Sequence, residues 1–261
     1  MDKKTIMIAL GGNSLSPKGS SGTVGEQFSF TRRTMDHLSE FILKDYNICI
    51  THGNGPQVGN ELLRMDLTND VVPPLPLGIC VANTQGQIGY MVQQTLQNKL
   101  RDLKVDREVV TLVTQVLVDK NDKSIKNPTK FVGARYTKEK IVKLAKKLNW
   151  IVKEQEPGSW RRVVPSPMPE YIMHGKSIKA LVDRGTIVIA FGGGGIPVFN
   201  NDNGQIEGLD AVIDKDFSAA KMGRIIRAQE LWIISDIDYL YSNFDTENAR
   251  PIKEIGTKEL Q

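Results

Sequence analysis

Residues Thr5 to Asn13 read "TIMIALGGN", six mostly apolar residues that run straight into two glycines and an asparagine. A short apolar run closed by glycine reads as a buried strand whose chain must turn at its carboxyl end. The pattern recurs. "YNICIT" closes on His52-Gly53-Asn54-Gly55-Pro56, and "TIVIAF" closes on the four glycines Gly192 to Gly195. Amphipathic stretches lie between such runs. Met35, Leu38 and Ile42 recur at helical spacing, as do Val58, Leu62 and Met65 behind Pro56, a residue suited to a first helical turn. A long helix is expected in "QGQIGYMVQQTLQNKLRD", with Ile88, Met91, Thr95 and Leu96 on one side, and "REVVTLVTQVLVD" reads as one further strong strand. From Lys120 to about Pro169 the alternation breaks into loops, one basic helix and the hairpin signals of "WIVKEQEPGSWRRVVPSPMP", which predicts an inserted or protruding subdomain over about 119–169. Alternation then resumes with a helix over "EYIMHGKSIKALVDRG", capped by Gly185, the strand "TIVIAF", a helix over "DKDFSAAKMGRIIRA" and the strand "LWIISDI". Strands alternating with helices predict an α/β fold whose mostly parallel sheet is covered on both faces.

Composition narrows the function classes. The chain has 261 residues, 40% hydrophobic and 25% charged, with a formal net charge of +4. That charge is too small to argue for nucleic acid, and the lysines of "KEKIVKLAKK" fall on the solvent side of an amphipathic helix. No stretch has the ~20 apolar residues a membrane span requires, and the N-terminus lacks the pattern of a signal peptide. Cys49 and Cys80 sit in apolar runs and read as reduced core residues, so a cytoplasmic protein is expected.

In a parallel α/β sheet, ligands bind beyond the carboxyl ends of the strands. Here three strands end in Gly11-Gly12-Asn13, Gly53-Asn54-Gly55 and Gly192 to Gly195. Glycine lets backbone N–H groups converge on an anion, and a helix N-terminus just beyond adds partial positive charge. Three such turns on one rim predict a site for several anionic groups, although any one of them alone is more often a tight turn. Neither the dinucleotide fingerprint nor the P-loop pattern is present. Asp214-Lys215-Asp216 opens a helix. One acid can cap it, whereas Lys215 opposes the helix dipole, which favours a lysine placed to meet an anion over a merely solvated charge cluster. In "NPTKFVG", Asn127 to Gly133, a loop presents Lys130 just behind a strand. His52 reads as a buried turn residue holding the Gly53 loop.

Taken in order, "ALGGNSL", "THGNGPQVGN", "TQGQIGYMVQQTL", "NPTKFVG", "WRRVVPSP", "IAFGGGGIPV", "AVIDKDFSA" and "SDIDYLYSNF" resemble the carbamate kinases of the amino-acid kinase superfamily, over nearly the whole chain. The resemblance implies a three-layer α/β/α sandwich with an open sheet and a protruding subdomain. It also implies a homodimer and Mg²⁺-dependent phosphoryl transfer between ATP and carbamate, giving ADP and carbamoyl phosphate. Residues 1–184 would bind carbamate and the moving phosphoryl group, and 185–261 the nucleotide. Carried over by motif, Gly11, Gly12, Asn13, Gly53, Asn54 and Gly55 would hold carbamate and phosphoryl oxygens, with no metal ligand assigned on the protein. Lys130 would reach in from the subdomain, Lys215 would bridge the phosphates, and Asp214 would orient Lys215. Gly194, Gly195, Asp216, Asp236 and Tyr241 would lie on the nucleotide side. Two departures stand out. Met168 occupies a position where the resemblance favours lysine, and the family's chains continue past Gln261 with a further phosphate-contacting lysine, so weak or absent kinase activity is expected even if nucleotide binds. The alternatives are a catalytically silent nucleotide-binding homologue and a kinase of another small carboxylate.

Overall fold

The computed structural model describes residues 3–17, 19–235, 237, 239–244 and 246–259, with Asn13 by its backbone alone. The chain runs through β1 (Thr5–Leu10), a 3-10 turn at Gly12–Ser14, α1 (Val24–His37), α2 (Ser39–Leu43), β2 (Asn47–His52), α3 (Gly55–Thr68) and α4 (Leu77–Asp102). Next come β3 (Val109–Leu112), β4 (Gln115–Val118), α5 (Lys123–Lys126), β5 (Lys130–Tyr136), α6 (Lys138–Leu148), β6 (Val152–Glu156) and β7 (Ser159–Val164). The remainder comprises β8 (Pro169–Ile172), α7 (Gly175–Asp183), β9 (Ile187–Ala190), a 3-10 turn at Gly192–Gly194, β10 (Ile196–Asn200), β11 (Ile206–Gly208), α8 (Lys215–Ile226), β12 (Glu230–Ile234), β13 (Leu240–Ser242) and β14 (Arg250–Ile252).

Five strands form a parallel sheet in the order β12-β1-β2-β9-β3. Its side chains alternate between two separate cores. Ile6, Ile8, Leu10, Ile48, Ile50, Ile187 and Ile189 pack with Met35 and Leu38 of the α1–α2 segment and with Ile88, Val92 and Leu96 of α4. Met7, Ala9, Cys49, Val188 and Ala190 face the other way, onto Ile178 and Val182 of α7 and Ala219, Met222 and Ile226 of α8. Helices on both faces of a parallel sheet make the expected α/β/α sandwich. A second, mixed sheet, β11-β10-β4-β8, adjoins the α7–α8 side. Residues 130–164 build a third sheet, β5-β7-β6, held to the body where Val132 and Val164 pack with Val58 and Leu62 of α3 and Cys80 and Val81 of α4.

Four expectations need correction. "REVVTLVTQVLVD" is two strands, because the Thr114 N–H donates to the Gln85 side chain (2.7 Å) and the chain passes there from the parallel sheet to the mixed one. Residues 170–172 are strand rather than helix: β4 has an open edge that β8 fills antiparallel, and the chain turns at left-handed His174 before α7 begins. The helix expected from Gln85 starts at Leu77, extended by the apolar face Leu77, Cys80, Val81 and Thr84. Lys130 is the first residue of β5, paired opposite Val164, rather than a loop residue. Gly185, at φ +89°, ends α7 as expected, with Gly185 and Thr186 donating back to Val182 and Leu181.

Candidate active site

The parallel strands β1 and β2 stop at the same level, and their glycine loops press on one another. The Gly53 N–H donates to the Leu10 carbonyl and the Gly11 N–H to Ile234, both at 2.8 Å. A methyl group on Gly53 would lie 2.7 Å from the Gly12 nitrogen, so only glycine allows this approach. The 192–195 turn is closed by packing: side chains added there would overlap His52, Asn54, Ile213 and Val116 respectively. Phe191, at φ +42°, leads into it, with its carbonyl held by the Thr51 hydroxyl (3.1 Å).

These loops form one wall of a cleft of about 420 Å³, lined by Gly11, Gly12, Gly53, Asn54, Gly55 and Gly193. Asn54 is the N-terminal residue of α3 but does not cap it. Its side chain donates instead to the Thr84 hydroxyl (2.9 Å), so the start of α3 at the cleft has no side-chain cap. Across the cleft stand the start of α8 and the first strand of the third sheet. Asp214 caps α8 by accepting from the Asp216 N–H (2.9 Å). Its other oxygen faces the Lys130 ammonium at 3.4 Å, a pair spanning 84 residues of sequence. Lys215 pairs with Asp216 at 2.6 Å and is the more enclosed of the two lysines, 18% exposed against 45%. The ion pairs at the helix start are thus crossed, Asp214 with Lys130 and Asp216 with Lys215. The first residue of β5 brings Lys130 beside the capping acid.

His52 is buried, with Nδ1 3.0 Å from the Gly53 carbonyl oxygen, and burial lowers its pKa to about 4. It is a neutral prop beneath the loop. Gly194 and Gly195 sit behind the cleft surface rather than on it, the Gly194 carbonyl accepting from the Ser218 hydroxyl (2.8 Å). Tyr241 lies on the β13–β14 hairpin against Phe244, away from the cleft lining. Asp236 and the Asn13 side chain lie outside the described residues.

Residues 4–261 match the profile of the amino acid kinase family. The chain belongs to the amino acid kinase family. The carbamate kinase of Pyrococcus furiosus is 44% identical over 260 residues, covering 99% of this chain and 82% of that protein. Carbamate kinase 2 of Staphylococcus epidermidis is 42% identical over 260 residues, covering 98% of this chain and 82% of its own length. Among solved structures, the carbamate kinase of Giardia lamblia bound to AMP-PNP superposes with a TM-score of 0.88 at 35% identity, covering 96% of this chain and 79% of that one.

Within this family member the cleft has features that sequence reasoning did not assign. Arg161 lines it and clamps the Gly133 carbonyl through Nε (3.1 Å) and Nη2 (2.8 Å). Burial, and then the neighbouring Arg135, lower its pKa. Gln85 ties Thr114 to the Gly192 carbonyl (3.1 Å). Arg161 lay within a quoted motif, but which of two adjacent arginines faces the cleft depends on the phase of β7. Among the described residues no cluster of three or more His, Cys, Asp or Glu side chains could hold a metal ion, and no helix is long and apolar enough to cross a membrane.

Proposed function

We propose that the chain is a carbamate kinase, catalysing reversible phosphoryl transfer between ATP and carbamate. One observation supports this most: ammonium groups from two separate elements, Lys130 and Lys215, flank a cleft whose third side is the glycine loops and the start of α3. Phosphoryl transfer requires little covalent work from a protein. It requires the attacking and leaving oxygens in line with phosphorus and positive charge set against the negatively charged equatorial oxygens. The Gly11–Gly12 and Gly53–Asn54–Gly55 loops, with Asn13, are assigned to carbamate and the moving phosphoryl group. Gly194, Gly195, Asp216, Asp236 and Tyr241 are assigned to the nucleotide side, so residues 1–184 and 185–261 divide the two substrates between them. In the ATP-forming direction a terminal ADP oxygen attacks phosphorus, the bond to the carbamate oxygen breaks, and carbamate leaves with the electron pair. Carbamate is already an anion, so no general base is required in the reverse direction, in keeping with a site whose one buried histidine is held neutral. Lys130 and Lys215 exchange their carboxylate partners for phosphate oxygens as substrates enter.

Mg²⁺ binds through one or two carboxylates plus phosphate oxygens and water, so the donors present, Asp216 and Asp214, fit an ion that arrives on the nucleotide. It would neutralise charge between the phosphates. The exposed face of α4, including Ile79 and Tyr90, is assigned to a homodimer contact. Cys49 and Cys80, free and buried, are in keeping with the cytoplasm. The test is a coupled assay of ATP formation from ADP and carbamoyl phosphate, beside calorimetry with ADP. Turnover with carbamoyl phosphate and none with acetyl phosphate is expected. Folded protein that binds no ADP and forms no ATP would overturn the reading.

A further inference from the structure

The third sheet, which carries Lys130, and the loop that leads into Lys215 meet outside the reacting cleft at one ion pair, a buried arginine on an exposed aspartate. Residues on β7 alternate sides: Arg161 lines the active cleft, whereas Arg162 turns into the wall of a second cleft. Arg162 is only 8% exposed, with its guanidinium 5.1 Å from the Trp150 ring centroid and Nη2 bonded to Oδ2 of Asp210. The other carboxylate oxygen of Asp210 accepts from the Leu77 N–H (3.1 Å), at the first residue of α4.

Three elements thus converge on one carboxylate, and each leads to the active cleft. Arg162 is the register partner of Val132 on β5, two residues from Lys130. Leu77 opens α4, whose Thr84 and Gln85 hold Asn54 and the Gly192 carbonyl. Asp210 itself lies four residues before Asp214, on a segment pinned again where the Val212 N–H donates to the Pro165 carbonyl (3.0 Å), just past β7.

We propose that Asp210 is a positioning residue for phosphoryl transfer: by bonding Arg162 and the α4 start together, it fixes the separation between the Lys130 and Lys215 ammonium groups. The inference rests on the kinase reading above. Asp210 touches neither the reacting atoms nor the cleft surface. Its loss shifts the supports of two cations, and displacements of this kind reduce rate more than they reduce binding.

The experiment compares Asp210→Asn, Asp210→Glu and the double variant Arg162→Met/Asp210→Leu, which replaces the pair by apolar side chains so that no buried charge is left unpaired. Each is assayed for kcat and KM in ATP formation, for its thermal midpoint, and for hydrogen exchange in peptides spanning residues 130–136 and 209–216. For Asp210→Asn, kcat is expected to fall about 10- to 100-fold with KM for ADP changed less than about threefold. Asp210→Glu should recover part of the loss, whereas the double variant should recover the thermal midpoint without the turnover. Exchange should quicken in both peptides together. Wild-type turnover in Asp210→Asn or in the double variant would overturn the inference while leaving the kinase reading intact. An inactive wild type would instead sink the kinase reading, and the exchange data would still decide: unchanged exchange in the two peptides refutes Asp210 as their common support.

Discussion

Replacing Gly53 by alanine separates this account from one in which the glycine turns are ordinary tight bends. The added methyl carbon would stand 2.7 Å from the Gly12 nitrogen and 3.0 Å from its Cα, both backbone atoms that cannot rotate away. Ordinary contact begins near 3.4 Å, so the β1 and β2 loops must part by about 0.7 Å at their closest point. Overpacking of this kind costs about 1–3 kcal/mol, which lowers the melting temperature of a chain of this size by several degrees. The effect on turnover is larger. The same two loops line the cleft proposed to hold the phosphoryl group, and a displacement of about 1 Å can reduce rate ~10²-fold. The comparison is Gly59→Ala, six residues on in α3, where an added methyl meets nothing within 4 Å and alanine favours the helix. Coupled ATP-formation kinetics and thermal melts of the two variants should show Gly53→Ala slow and less stable, with Gly59→Ala unchanged or more stable. Equal kcat values for the two would mean that the contact between the loops does not set the geometry of transfer.

Further outcomes can be stated for Lys130, His52 and the cysteines. Lys130→Ala removes a cation aimed into the cleft, and kcat should fall ~10²–10³-fold in the same assay; near-normal turnover would remove its role. His52 has a folded pKa of about 4 against an ordinary 6.5, so the unfolded chain takes up the proton first as pH drops. Its contribution is complete above about pH 6.5 and is lost as pH falls through 4, by up to roughly 3 kcal/mol. Urea unfolding near pH 7 and pH 4.5 should therefore show a steeper loss in wild type than in His52→Gln. Burial pushes the Cys49 thiol up to about 12 and the Cys80 thiol up to about 11, so neither should react with a thiol reagent until the protein is unfolded.

How far the sequence carried depended on whether a feature was local. Three strand ends were legible because each is written into adjacent residues: an apolar run, then glycine where two backbones must touch, as at Gly53 against Gly12. The break at Thr114 was not legible, since nothing between Val109 and Val118 differs from a continuous strand. Gln85, from a different element, takes the Thr114 N–H and diverts the chain between sheets. The same distinction explains the lysines. Asp214-Lys215-Asp216 announces charge at a helix start, and the cap follows from spacing, but the partner of Asp214 arrives from 84 residues away on β5. Its choice depends on the strand register and on the irregularity between Val132 and Tyr136, which local composition does not encode. Arg161 and Arg162 make the point most sharply. They are chemically identical neighbours, yet one clamps the Gly133 carbonyl in the active cleft and the other is buried on Asp210 behind it. A one-residue slip of β7 against β5 that turned Arg162 toward the cleft would bring Val163 to its place, leaving the Asp210 carboxylate without its guanidinium. The hydrophobic contact of Val132 and Val164 with α3 and α4 opposes that slip, so the apolar core of the third sheet also fixes which arginine faces the cleft.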